Sequence, residues 1–152
     1  MGAIRISNSI DSSDPGLLAT LVEASQSLDQ RLIEWQSNSD SWKQLLQRVF
    51  GIHQPFELES IAVELLDEAT MAGLRGAYAA GTSEQPEKIY LNQEWATTAS
   101  TIEIEAVLLE EIGHAIDQRL NGENDTPGDE GAIFSALIRG VEIPRNATTK
   151  ND

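Results

Sequence analysis

The sequence predicts an α+β fold, and three observations predict it. Apolar residues recur at helical spacing in two long stretches, one beginning near residue 14 and one near residue 100. Between them lie short runs of strand-forming residues joined by a Gly/Ser/Pro-containing loop. The chain has 152 residues, enough for one domain with a substantial core. The expected order is helix, helix, strand, hairpin, long helix, short helix.

Residues 1–13 are polar and are expected to form a flexible N-terminus. The run DPGLLATLVEASQSLDQRLIEW then reads as a helix. Asp14 can cap it, Pro15 suits its first turn, and Leu17, Leu18, Leu21, Val22, Leu28, Leu32 and Trp35 largely follow its period. SWKQLLQRVFG gives a second, shorter helix that ends at Gly51. Residues 14–51 therefore form an N-terminal helical part without evident chemistry, suited to packing or cover, with a regulatory arm as the alternative.

Residues 58–140 carry the chemistry. A strand is expected around Ser60 to Leu66, with a helix as the alternative, and Asp67 can cap a short turn after it. GAYAAG and KIYLN read as two strands of a small antiparallel sheet. TASTIEIEAVLLEEIGHAIDQRLNG is a long helix with Ser100 or Thr101 as cap and Gly122 past its end. The last helix starts around Thr126, Pro127 and Asp129, and Ile133, Phe134, Leu137 and Ile138 form its apolar stripe before Gly140. Residues 14–140 thus form a single domain, and 141–152 a polar C-terminal tail.

Composition narrows the functions. With 25 acidic and 10 basic residues the formal charge is −15, which disfavours nucleic-acid backbone and anionic membrane surfaces. Such a surface attracts cations, although a soluble acidic exterior explains the charge as simply. The chain contains no cysteine, which removes disulfides, thiolate metal sites and a cysteine nucleophile. No run approaches the ~20 apolar residues of a membrane span, and the N-terminus has no signal-peptide core. The expected location is the cytoplasm, or the exterior by a route independent of a signal peptide.

The long helix holds the candidate site, in AVLLEEIGHAIDQRL. With Glu110 at zero on a helical wheel, His114 falls at ~40°, Asp117 at ~340° and Glu111 at ~100°. Leu108, Leu109, Ile112 and Ile116 form an apolar back. A carboxylate and an imidazole at i and i+4 can reach one metal ion, and Gly113 beside them lets another segment approach closely. The next helix offers Glu130 as a further ligand and Asp129 as a cap or as a group that orients the His114 ring. Glu111 is then placed as general base on a metal-bound water.

The residues GAYAAG, KIYLNQEW, VLLEEIGHAID and DTPGDEGAIFSALIRG, spread over residues 74 to 140, resemble a zincin-like domain of large secreted bacterial proteins, notably cyanobacterial ones, where it often accompanies calcium-binding repeats. More distantly the arrangement is similar to the core of gluzincin metallopeptidases. That resemblance implies a zincin-like fold: N-terminal helices, a small sheet, an active-site helix and a glutamate helix. It places Glu110 where such enzymes carry their first histidine, Glu111 on the general base, His114 on the second histidine and Glu130 on the glutamate ligand. A peptide or protein substrate would pair with an edge strand around Tyr78 to Ala80 or Ile89 to Asn92, which includes Tyr78, Ala79, Tyr90 and Leu91.

Glu110 is the departure from the His-Glu-x-x-His pattern. Two carboxylates and one imidazole neutralise a divalent ion, weaken it as a Lewis acid and make the site harder. Zinc is the first expectation, with manganese, iron or calcium as alternatives. An oxyanion donor could be Tyr78, Tyr90, Arg75 or His53. The expected function is a metal-dependent peptidase. The alternative is an inactive zincin-fold module that binds a structural metal or a peptide or protein partner. An acidic calcium-binding protein ranks last, because no EF-hand loop is present.

Overall fold

A computed structural model describes residues 2–7, 10, 14–52, 59–121 and 129–143. His53, Gly122, Thr126, Pro127 and the tail from 144 onward lie outside the described residues. The elements run β1 (Ile4–Ile6), α1 (Pro15–Ser37), α2 (Ser39–Phe50), β2 (Ile61–Leu66), α3 (Glu68–Met71), β3 (Gly76–Ala79), β4 (Lys88–Asn92), α4 (Gln93–Thr98), α5 (Thr101–Asn121) and α6 (Glu130–Arg139). The fold is α+β, with six helices and one four-stranded sheet among the described residues.

The sheet corrects two expectations. Its order is β1-β2-β4-β3, and it is mixed rather than antiparallel. β2 runs parallel to both β1 and β4, and only β3 and β4 form the expected antiparallel hairpin. The physical reason is that α3 and β3 lie between β2 and β4 in the chain, so β4 returns to β2 in the same direction. The N-terminus, expected to be flexible, instead supplies β1, with Ile4 opposite Ile61. It is tied to α1 as well, because the Ala3 N–H donates to Asp29 Oδ1 at 2.8 Å.

The helices form where their caps lie. The Asp14 carboxylate accepts from the Leu17 N–H and Pro15 opens α1. Gly51 ends α2 in the left-handed region at φ +70°, where a side chain would be strained. Ser100 and Glu103 cap α5 reciprocally, each accepting from the other's backbone N–H at 3.1 Å. Asn92 is 2 % exposed; its carboxamide oxygen caps α4 through Trp95 N–H, and its NH₂ donates to the Leu74 carbonyl and the Glu68 carboxylate.

One core joins sheet and helices. Val63, Ile89 and Leu91 pack from the sheet, Leu108, Leu109, Ile112 and Ile116 from α5, and Leu21 and Leu28 from α1. Phe134 of α6 stacks near Trp42 and Phe50 of α2, with ring centroids 6.4 and 5.7 Å away. Buried Glu105 on α5 pairs with Arg31 of α1 at 2.5 Å, and the same guanidinium donates to the Arg139 carbonyl at the end of α6. No helix among the described residues is long and apolar enough to cross a membrane.

A candidate active-site cleft between strand β3 and helix α5

Among the described residues β3 is a free edge of the sheet, and it lies directly on α5. A Cβ added at Gly76 would stand 2.6 Å from Val107 Cγ1 and 3.4 Å from Glu111 Cγ, so only glycine allows this approach. An open cleft of about 400 Å³ follows the seam, lined by Leu74, Gly76, Ala77, Tyr78, Ala80, Glu111, His114 and Gln118. The backbone along the edge is available for pairing. The Asn92 N–H donates to the Arg75 carbonyl at 2.9 Å, so alternation along the hairpin turns Ala77 toward β4 and points the N–H and C=O of Gly76 and Tyr78 outward.

Glu111 is the unusual group in the cleft. It is 7 % exposed, and its Oε2 is buried without a hydrogen-bond partner among the described residues. Burial pushes its pKa up to about 7; the charge of His114 lowers it and that of Glu110 raises it. A carboxyl group held near neutral pH can take and return a proton under ordinary conditions.

His114 is seated by a glycine on the facing helix. A Cβ at Gly131 would stand 2.9 Å from His114 Nε2 and 2.5 Å from the Glu110 carbonyl oxygen. A Cβ at Gly113 would stand 2.8 Å from the Gly131 Cα. The close approach expected at Gly113 is therefore made by α6 itself. It places Glu130, 3 % exposed and the first residue of α6, one position from the residue that touches the His114 ring.

The expected ligands are brought together only in part. Glu110, His114 and Glu130 surround Gly131 through their backbones or rings, yet among the described residues no three His, Asp or Glu side chains are gathered as a metal ion requires. Asp117 does not line the cleft; it is 2 % exposed and its Oδ1 accepts from Asn121 Nδ2 at 2.6 Å, while Asn121 also donates to the Phe50 carbonyl. Asp129 occupies the N-cap position of α6, is exposed, and makes no side-chain capping hydrogen bond.

The edge-strand expectation divides in the same way. Tyr78 and Ala79 lie on the free edge. Tyr90 and Leu91 do not, because β4 is enclosed by β2 and β3 and Leu91 is fully buried. Among the candidate oxyanion donors, the Tyr78 hydroxyl donates to Glu87 Oε2 at 2.5 Å, and Glu87 in turn pairs with Arg119 of α5. Arg75 lies over the Trp95 ring, 5.5 Å from its centroid. Gln118 was invisible as a site residue in the sequence, although it stands four residues after His114 and seven after Glu111 on one stripe. Comparison with family models, with curated proteins and with solved structures finds no match.

Proposed function

We propose that the chain is a peptidase-type hydrolase domain of the zincin kind. An extended peptide lies along β3, pairing with the outward backbone groups of Gly76 and Tyr78, and Glu111 handles the proton of the attacking water. Ionised Glu111 accepts that proton as the water adds to the carbonyl, and then returns it to the departing amine. The observation that carries this reading is the buried carboxylate oxygen of Glu111, without a hydrogen-bond partner among the described residues, in the same cleft as His114 and the strand edge.

A divalent ion, zinc first, would take its donors from Glu110, His114 and Glu130. As they stand these side chains do not fit a three-ligand ion, so no step is assigned to one. That misfit favours a second reading, in which the cleft binds a peptide or protein segment without cutting it.

Elemental analysis of purified protein, beside peptide cleavage assays, separates the two. The peptidase reading expects cleavage that Glu111→Gln abolishes while leaving the fold intact; about one metal ion per chain, lost in His114→Ala and Glu130→Ala, would show in addition that Glu110, His114 and Glu130 turn toward one ion. Peptide binding without cleavage or stoichiometric metal, even after incubation with zinc, manganese, iron and calcium salts, would leave only the binding module.

A further inference from the structure

β3 and α5 run side by side in the same direction along the cleft. Gly76 lies against Glu111, and at the other end Tyr78 is linked through Glu87 to Arg119. Ala80 and Gln118 line that far end. β3 stops at Ala79, so the edge offers its last outward backbone pair at Tyr78. A peptide lying on the edge and continuing past Tyr78 leaves the strand behind and meets the side chain of Gln118.

Of the other side chains of the cleft that could donate to a peptide carbonyl, the Tyr78 hydroxyl is given to Glu87, and His114 lies one turn from Glu111, away from the far end. The Gln118 carboxamide makes no hydrogen bond with the described residues and opens onto the cleft at intermediate exposure. A carboxamide offers one acceptor oxygen and an NH₂ donor, the same pair of groups that a neighbouring strand presents to a peptide unit.

We propose that Gln118 is a substrate-anchoring residue: its carboxamide binds a backbone peptide group of the bound segment at a subsite remote from Glu111. This rests on the peptide-binding reading of the cleft and deepens it. Seven helical residues separate Glu111 from Gln118, a rise of ~10 Å, and an extended peptide advances ~3.3 Å per residue. The subsite therefore lies about three residues from the bond beside Glu111. Because it reads backbone, it recognises length rather than sequence. Gln118 does not touch the reacting atoms, so it acts on affinity and not on the chemical step.

The test uses fluorescein-labelled Ala/Lys peptides, a dipeptide too short to span the ~10 Å and a decapeptide extended on both sides, with binding to the whole protein read by fluorescence polarisation. Wild type should bind the decapeptide more tightly than the dipeptide. Gln118→Leu should weaken the decapeptide about tenfold, the effect of one or two lost hydrogen bonds, and leave the dipeptide unchanged. Gln118→Asn, which keeps the carboxamide, should lose less than Gln118→Leu. An equal loss for both peptides, or no loss for either, overturns the assignment while the cleft reading stands. Failure of the wild type to bind either peptide removes the cleft reading and this inference together.

Discussion

Gly113 and Gly131 meet where α5 crosses α6, so closely that a Cβ on Gly113 would come within 2.8 Å of the Gly131 Cα. The contact seats the start of α6, with Glu130, beside His114. Gly131→Ala should force the helices apart, because the new methyl meets the Glu110 carbonyl and the His114 ring rather than a flexible tip. The expected cost is about 1–3 kcal/mol in urea unfolding, reduced a little by the better helix propensity of alanine. A wild-type midpoint in the variant would mean that the two helices can separate freely.

The raised pKa of Glu111 makes a signed prediction for the metal-free protein. The folded state holds this proton more tightly than the unfolded chain, whose glutamate titrates near 4.5. Its contribution is therefore fully present below pH 4.5 and is lost as pH rises through about 7, a swing on the order of 3 kcal/mol. Asp67 and Glu103 have lowered pKa values, from the hydrogen bonds to Thr70 and Ser100 respectively, so their contributions are lost in the opposite direction, at more acid pH. Unfolding measured between pH 5 and 8 should show a decline in the wild type that Glu111→Gln flattens.

Arg31 neutralises Glu105, a carboxylate only 3 % exposed, and also satisfies the carbonyl of Arg139. Arg31→Ala leaves both uncompensated and should cost about 3 kcal/mol, the lower end of the range for a broken buried pair because the Arg31 side chain is 40 % exposed. Removing Glu105 as well should recover part of that loss. A double-mutant cycle with no coupling would show that the pair contributes nothing.

Glu87 holds the hairpin to the far end of α5 by accepting from Tyr78 and pairing with Arg119. Glu87→Gln should cost about 1 kcal/mol in stability. Its clearer signature is faster hydrogen exchange at the amides of Ala77 and Ala79, with helix α1 unaffected. Unchanged exchange along β3 would show that the seam against Gly76 is sufficient by itself.

Much of the architecture was legible because its signals are local. The caps at Asp14, Asp67 and Ser100, the stop at Gly51 and the apolar period of α5 all appear in the sequence and in the structure. β1 was not legible, since three residues, Ile4 to Ile6, are too few to establish an alternation. α4 is six residues, too short to show a helical period, although Asn92 three residues before Trp95 is a capping signal. Strand direction has no sequence signature at all, so the parallel pairing of β2 with β4 could not be read.

The site was legible in its helix but not in its orientation. Choosing the front of α5 by its carboxylates centred the wheel on Glu110. Packing instead turns Glu111, His114 and Gln118, at ~100°, ~40° and ~80°, into the cleft. Glu110 approaches α6 through its carbonyl, and Asp117 is drawn to Asn121 near the end of α2. Which carboxylate faces a cleft is decided by neighbouring elements, and those neighbours, Gly76 and Gly131, lie far from the motif in sequence.

The pairing of Ile4 with Ile61, and of Arg31 with Glu105 across 74 positions, also sets the order in which a growing chain can fold. When α1 and α2 leave the ribosome, the helices that cover Leu28, Leu45 and Val49 have not been made. At ~5–20 residues per second that interval is on the order of ten seconds. For that time the N-terminal third carries an uncovered apolar face.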